Sequence, residues 1–147
     1  MKVRLFFLII GFTFFLSCNS QKKKINGLSF VASSEAINNK HTEPVKKASA
    51  NYVSLMPFGF IKELSSPNVI YNTSRQWFGE TRKGVKQYAE SFHKEKIEVM
   101  IKPQIWVWRG QFTGYIEMDS EEQWKQLEDS YSNFILEYAT LAQEIKA

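Results

Sequence analysis

Apolar residues fall in three short runs separated by longer polar or amphipathic segments. The runs cover residues 28–33, residues 51–58 and the beginning of residues 99–114. Runs of this length, bounded by Ser, Pro and Asn, are typical of strands. Strands that are apolar on both faces are typical of a parallel sheet covered by helices. The pattern therefore predicts three parallel strands.

A helix is predicted after each of these strands. Residues 34–47 would carry a short helix from Ser34, and Pro44 makes a long one unfavourable. Residues 81–96 place four apolar side chains at i, i+3, i+4 and i+7, which predicts an amphipathic helix; they are Val85, Tyr88, Ala89 and Phe92. The last segment has apolar residues at alternating spacings of three and four, namely Trp124, Leu127, Tyr131, Phe134, Tyr138, Leu141 and Ile145.

The start of the third helix is marked by a capping box. Either Asp119 with Glu122 or Ser120 with Gln123 fits this motif. A coiled coil is the alternative interpretation of the apolar stripe. The aromatic content of the stripe favours packing on a sheet over a two-stranded seam.

Strand and helix alternate three times, which predicts an α/β fold with parallel strands. A doubly wound sheet and a (β/α) barrel both fit this order. Residues 31–38, "VASSEAIN", lack the glycine-rich fingerprint of a dinucleotide-binding fold, so we favour the barrel. A complete barrel has eight units in about 250 residues. The sequence predicts a partial (β/α) TIM-type barrel of about three strand-helix units.

The N-terminus has the pattern of an export signal. Lys2 and Arg4 precede the apolar residues 5–16, a run shorter than the ~20 residues of a membrane-spanning helix. The segment "FLSCN" resembles a bacterial lipoprotein processing site, which implies that Cys18 becomes the lipidated first residue. Phe15 and Leu16 depart from the commonest motif, and plain secretion is the alternative.

Three segments follow from this interpretation. Residues 1–18 are the lipoprotein signal, residues 19–26 a basic polar tether, and residues 27–147 the barrel-like domain. We therefore expect an exported protein of the cell envelope, anchored to a membrane through a lipid, with the lysines of the tether next to anionic headgroups.

Composition and charge narrow the classes of function. The chain has 147 residues, 44% hydrophobic and 23% charged, as expected for one globular domain. Of the 19 basic residues, Lys2 and Arg4 lie in the signal; 17 basic and 15 acidic residues remain, a net charge of +2 that does not favour nucleic acid. Cys18 is the only cysteine, which excludes an intrachain disulfide and a thiolate metal cluster. His41 and His93 are separated by loop and helix, so we predict neither a metal, a cofactor nor a nucleophilic triad.

The most informative segment is residues 99–114, "VMIKPQIWVWRGQFTG". Strand alternation places Met100, Lys102, Gln104, Trp106 and Trp108 on one face, opposite Ile101, Ile105 and Val107. Aromatic rings beside hydrogen-bonding side chains suit a sugar. The predicted substrate-binding residues are Lys102, Gln104, Trp106 and Trp108. The alternatives are that both tryptophans belong to the core and that Arg109 is an exposed loop charge.

Four strings resemble the N-terminal half of glycoside hydrolase family 113 and its mannanase-like relatives, which are retaining (β/α)-barrel enzymes. They are "GLSFVA", "YVSLMPFGF", "VMIKPQIWVWRGQFTG" and "FILEYATLAQE", of which "KPQIWVWRG" is the most specific. The resemblance implies a β-mannoside or related polysaccharide as substrate. It also implies that Lys102, Gln104 and Trp106 lie near the sugar.

The resemblance implies catalytic glutamates after the fourth and seventh strands, beyond the three strands predicted here. Glu80 and Glu117 match neither position, and we expect both to be exposed. The predicted function is that of a β-mannanase-type glycoside hydrolase truncated before its catalytic carboxylates and inactive alone. A non-catalytic envelope lipoprotein that binds a glycan or a protein partner is the alternative. Unpaired strand edges predict marginal folding and self-association.

Overall fold

The structure, a computed structural model, describes residues 24–147. The predicted signal, Cys18 and the first part of the tether lie outside the described residues. No helix within residues 24–147 is both long and apolar enough to cross a membrane.

The described chain contains five short strands and three helices. The strands are β1 (Gly27–Phe30), β2 (Tyr52–Leu55), β3 (Phe58–Ile61), β4 (Glu98–Ile101) and β5 (Gln104–Val107). The helices are α1 (Asn39–Lys47), α2 (Arg82–Lys94) and α3 (Glu121–Ile145). Single 3₁₀ turns lie at Phe78–Glu80, Trp108–Gly110 and Thr113–Tyr115.

All strand pairs are parallel and form two small sheets, in the orders β1-β2-β4 and β3-β5. Tyr52 lies opposite Glu98 and Phe58 opposite Gln104, so the register is the same in both sheets. The sheets are separated at Pro57 and Pro103, because proline has no N–H to donate to a ladder. The five strands therefore correspond to the three predicted ones, and the predicted α/β class with parallel strands is confirmed.

The two larger helices cover one face of the sheets. Helix α2 packs against β2 and β4, and α3 packs against β4 and α2. The predicted stripe of α2 is fully buried, and in α3 the buried residues are Phe134, Tyr138, Leu141 and Ile145. Ser120 caps α3 by accepting a hydrogen bond from the Gln123 N–H, which confirms the second of the two predicted caps. The stripe of α3 therefore packs onto the sheet and α2, not into a coiled coil.

The first helix differs from its prediction. It begins at Asn39 and not near Ser34, because the Asn38 side chain accepts a hydrogen bond from the Lys40 N–H while His41 Nδ1 accepts one from the Asn38 N–H. Pro44 lies inside the helix, which ends three residues later at Lys47. The helix is short, as expected, but this local cap sets its start.

The other face of the sheets is open within the described residues. Met100 is 52% exposed and Trp106 50% exposed, whereas Val99 and Val107 on the opposite face are buried. This alternation agrees with the two faces predicted for the third strand. The outer edges of β1, β4 and β5 pair with no other strand of the described chain. Self-association through these edges stays a prediction.

The turn at Phe78–Glu80 lies directly against the first turn of α2. A Cβ atom on Gly84 would lie 1.7 Å from the Phe78 carbonyl oxygen, and one on Gly79 would lie 2.6 Å from the Tyr88 ring. Neither the Phe78 carbonyl oxygen nor the buried Tyr88 ring has room to move aside, because the interior is close-packed. The approach of turn and helix therefore requires glycine at both positions.

We expect Gly84→Ala to lower the free energy of unfolding by about 3 kcal/mol, because the new methyl group overlaps the Phe78 carbonyl. Helix propensity alone predicts the opposite, a gain of about 1 kcal/mol. Urea denaturation measures the difference. Lys83→Ala, at the exposed neighbouring position, is the control and should stay within about 0.5 kcal/mol of the parent. A stabilised Gly84→Ala variant would show that the turn does not lie where the structure places it.

Candidate functional site

Two pockets open where the parallel strands end. Lys62 follows β3 and Trp108 follows β5, and both side chains line both pockets. The Lys62 Nζ atom lies 5.9 Å from the centroid of a Trp108 ring, within cation–π range. These two residues therefore form the wall shared by the pockets.

The first pocket, which we call the basic pocket, has a volume of about 530 Å³. It lies between the ends of the strands and the loop before α2. Its lining residues are Phe60, Lys62, Ile70, Thr73, Ser74, Arg75, Gln76, Trp77, Glu80 and Trp108. Two cations, two indoles and one carboxyl group therefore face the same space.

The second pocket, which we call the outer pocket, has a volume of about 650 Å³. It lies between the ends of the strands and the segment that leads to α3. Three exposed carboxylates line it, those of Glu63, Glu117 and Asp119, together with Arg109 and Tyr115. The lining of this pocket is more polar than that of the basic pocket.

The loop that forms the basic pocket is tied to the sheet by backbone hydrogen bonds. Phe60 and Ile70 exchange two N–H···O bonds of 2.8 Å, which form an antiparallel bridge on the edge of β3. The Gln76 amide donates to the Phe58 carbonyl at 2.8 Å and accepts from the Thr73 N–H at 2.9 Å. These bonds fix residues 70 to 76 along the edge of β3, from Phe60 back to its first residue, Phe58.

The end of the same loop is held from the helix side. The Asn72 side-chain oxygen accepts from the Arg82 N–H at 2.7 Å and from the Tyr138 hydroxyl at 3.1 Å. Tyr138 also lies 3.2 Å from the Glu80 carbonyl oxygen, and burial raises the pKa of its hydroxyl, which therefore stays protonated as a donor. Arg82 forms ion pairs with Glu137 and Glu144 of α3. The turn before α2 is thus anchored to both helices.

Glu80 differs from the expectation of an exposed carboxylate. Its side chain is half-buried in the basic pocket beside Trp77. Burial raises the pKa of the Glu80 carboxyl above its ordinary value of 4.5, and hydrogen bonding from the Trp77 backbone lowers it in part. The prediction was wrong because residues 73–77 fold back and line the same pocket as Glu80. No local pattern in the sequence indicates this fold of the loop. Glu117 is exposed, as expected.

The four predicted substrate-binding residues follow one another at every second position from Lys102 to Trp108. They do not share one cavity, since only Trp108 lines the basic and outer pockets. Lys102 and Trp106 are exposed on the open face of the sheets and line neither pocket. Gln104 is half-buried and donates to the Lys102 carbonyl at 3.5 Å. Trp108 is 43% exposed at the mouth. We call Lys102, Gln104, Trp106 and Trp108 the sheet-face site; its binding role stays a prediction.

A tight turn directs Trp108 away from the core. Arg109 and Gly110 both have positive φ, 63° and 70°, so the chain reverses immediately after β5. Arg109 is an exposed loop residue that lines the outer pocket. Trp106 is 50% exposed and Trp108 43% exposed, so neither belongs to the core that the described residues form.

Three residues of the basic pocket escaped the sequence analysis: Lys62, Arg75 and Trp77. Lys62 follows β3 as directly as Trp108 follows β5, so the rule that drew attention to the end of the third predicted strand applies equally to Lys62. Loops after parallel strands converge at one end of a barrel, and this rule applies to every strand. Arg75 and Trp77 follow the polar loop of residues 65–74. The sequence of this loop does not indicate where in the fold it leads the chain.

The two histidines have separate structural surroundings. His41 belongs to the cap of α1, and His93 lies near the end of α2 with its Nε2 atom buried and without a hydrogen-bond partner among the described residues. Within residues 24–147, no three His, Cys, Asp or Glu side chains come together in a metal-binding group.

Parallel strands followed by helices, with pockets at the strand ends, define the class of (β/α)-barrel proteins, here as a partial barrel. The profile of Glycoside Hydrolase Family 113 matches residues 32–147. The chain belongs to this family, and the resemblance identified from its sequence is confirmed. No curated protein matches the chain significantly.

Solved structures of the same family share the fold. A GH113 β-mannanase, AaManA from Alicyclobacillus acidocaldarius, in complex with ManMIm, aligns with a TM-score of 0.70 and 20% identity over 86% of this chain and 43% of its own. A complex of a GH113 β-1,4-mannanase has a TM-score of 0.70 and 17% identity, covering 86% of this chain and 44% of its own. The chain therefore spans less than half the length of the structures that it matches.

The pKa of Glu80 predicts how stability changes with pH. Because the pKa is raised in the folded state, the carboxyl favours folding most below its ordinary pKa of 4.5, and this contribution is lost as the pH rises through the folded-state pKa. Glu80→Gln mimics the neutral form. We expect it to be more stable than the parent at neutral pH and equally stable below pH 4.5 in urea denaturation.

Glu117→Gln, which removes an exposed carboxylate of the outer pocket, is the matched control and should leave stability unchanged at both pH values. A Glu80→Gln variant that is less stable than the parent at neutral pH would mean that the folded protein favours the ionised carboxylate.

Proposed function

We propose that the protein is a glycoside hydrolase for a β-mannan-type polysaccharide, in which residues 27–147 supply part of the glycan-binding surface and not the catalytic carboxylates. The observation that carries this proposal is the position of the sheet-face site, where two exposed indoles lie beside an amine and an amide near the ends of parallel strands. The solved structures to which the chain is similar are β-mannanases, and this similarity supports a mannan-type sugar as the ligand.

The chemistry of the sheet-face site suits a sugar chain. Trp106 lies opposite Phe60 in the strand register, and its ring centroid is 6.1 Å from that of Phe58, so apolar rings surround it. Exposed rings offer stacking surfaces to the C–H faces of sugars, and the side chains of Lys102 and Gln104 offer hydrogen bonds to hydroxyl groups. Residues two apart along a strand are about 7 Å apart, so an extended glycan can contact several of them.

The carboxylates of the described residues do not favour catalysis by this part of the protein. Retaining hydrolysis needs two carboxyl groups about 5 Å apart, one of them held protonated by its surroundings. Glu80 is half-buried in the basic pocket, whereas Glu63, Glu117 and Asp119 are exposed in the outer pocket. Lys62 and Trp108 stand between the two sets as their shared wall.

A mannan oligosaccharide tests the binding role. We expect the protein to bind β-1,4-mannotetraose in isothermal titration calorimetry and Trp106→Ala to weaken binding about tenfold, since one lost stacking contact removes about 1.4 kcal/mol. Leu136→Ala, which truncates an exposed apolar residue of α3, is the control and should bind as the parent does. Equal loss of binding in both variants would contradict a specific role for Trp106.

The same preparation tests the absence of catalysis. Incubation of the 147-residue protein with mannan is expected to release no reducing sugar. Release of reducing sugar that Glu80→Gln abolishes would contradict the proposal and would make Glu80 a catalytic residue.

The proposal includes export and anchoring at the cell envelope. Its support is the sequence alone, namely the basic and apolar segments before Cys18 and the lysines that follow. We expect the protein expressed in a bacterial host to incorporate labelled palmitate and to fractionate with membranes, and Cys18→Ser to abolish the label. Incorporation of label by Cys18→Ser, or none by the parent, would contradict lipidation.

A further inference from the structure

Two cations of the basic pocket are free of acidic partners. Every ion pair of residues 24–147 involves Lys46, Arg82 or Lys125. Neither Lys62 nor Arg75 makes one, although both line the same cavity. Two positive groups facing one space repel each other and favour an external anion between them.

The walls of the basic pocket are aromatic. Trp77 is 54% exposed and Trp108 is 43% exposed, so each indole presents a face or edge to solvent. The Lys62 ammonium group lies over Trp108, which leaves Trp77 as the uncovered ring. A volume of about 530 Å³ lies within the range of about 300–1,000 Å³ that is typical of small-molecule sites. The pocket thus combines a stacking surface with positive charge.

The pocket is formed before any ligand binds. Gln76 lies between Arg75 and Trp77 and is hydrogen-bonded to the backbone of β3 and of the loop itself. The Gly79 N–H, two residues after Trp77, donates to the Ser33 carbonyl at 3.0 Å. A ligand would therefore order few groups on binding, which lowers the entropic cost of association.

Glu80 forms no ion pair with the cations of the pocket. Its pKa is raised by burial, and neither Lys62 nor Arg75 is among the groups that lower it. The carboxyl therefore keeps its proton to a higher pH than an exposed glutamate does. The positive character of the basic pocket is retained under mildly acidic conditions.

We propose that the basic pocket binds a uronic acid residue of the glycan, with the sugar carboxylate facing Lys62 and Arg75 and the sugar ring on Trp77. Arg75 presents a planar fork that matches a carboxylate, and Lys62 adds a point charge. A neutral mannose unit has no anionic group with which these two cations could pair. The inference rests on the proposed function for the location of the glycan and adds the charge class of the sugar.

Two matched tetrasaccharides test the proposal: β-1,4-mannotetraose, and the β-1,4-linked tetramer of mannuronic acid, which differs by a carboxylate at C6. We expect the acidic tetramer to bind the 147-residue protein about tenfold more tightly at low salt, since a charge-assisted hydrogen bond contributes about 1.5 kcal/mol. Arg75→Gln should abolish this preference and leave the affinity for mannotetraose within twofold. Lys62→Gln should reduce the preference in the same way.

Lys94→Gln is the control for non-specific attraction, because Lys94 is exposed at the far end of α2 and its removal changes the net charge equally. It should keep the preference for the acidic tetramer. Equal affinity of the parent for the two tetramers, or an equal loss in Arg75→Gln and Lys94→Gln, would overturn the proposal.

The outcomes also separate this inference from the proposed function. Binding of mannotetraose without preference for the acidic tetramer overturns the uronic acid site alone. Binding of the acidic tetramer alone, lost in Arg75→Gln, supports the site and contradicts a neutral mannan as the ligand. Absence of binding by both tetramers overturns both.

Discussion

The close contact between the turn Phe78–Glu80 and helix α2 is the constraint on which the candidate site depends. Glycine at positions 79 and 84 lets the Phe78 backbone and the Tyr88 ring occupy space that a side chain would fill. Tyr88 in turn bonds the chain after β1, with its hydroxyl 2.8 Å from both the Ser33 hydroxyl and the Glu35 carbonyl. Tyr88, a buried residue of α2, thus connects the segments that follow β1 and β3. Trp77 and Glu80 owe their positions to this contact.

The site also depends on the interruption of two strands by proline, which divides the parallel sheet into two small sheets. Pro57 and Pro103 lie at corresponding positions of paired strands, so the ladder is broken in both at the same level and resumes in the same register. The Lys102 N–H still donates to the Leu55 carbonyl, and the Gln104 N–H to the Pro57 carbonyl, on either side of Pro103. Parallel alignment is therefore kept while the strand segments β3 and β5 carry the aromatic residues of the open face.

Much of the fold was predictable because its signals are local. The stripe from Val85 to Phe92 is buried as its spacing indicates, and Ser120 caps α3. Alternation around Pro103 placed Trp106 on the face opposite Val107, and in the structure Trp106 is exposed while Val107 is buried. The start of α1 was wrong because the bond between the Asn38 N–H and His41 competes with any start near Ser34. The break of both strands at Pro57 and Pro103 could not be predicted, because only the strand register shows that the two prolines lie opposite each other.

The site was predictable only in part, because it is formed by chain reversal. Trp108 follows a strand and was recognised. Arg75, Trp77 and Glu80 come together with Lys62 only because residues 70–76 bond back to β3 through Ile70 and Gln76. Such contacts join residues that are distant in sequence and leave no periodic pattern. The burial of Glu80, and with it the raised pKa, follows from the same reversal.

A glycan that binds along the open face and the strand ends must change the surroundings of the indole groups there. The chain contains four tryptophans. Trp124 lies on α3 in a third pocket that Gln104 also lines, whereas Trp106 and Trp108 are exposed along the open face and the strand ends. The most direct test is the ¹⁵N–¹H spectrum of the four indole N–H groups during titration with β-1,4-mannotetraose. We expect the signals of Trp106 and Trp108 to shift until saturation, and by more than the signal of Trp124. A shift confined to Trp124, or no shift in any indole signal at saturating sugar, would contradict this expectation.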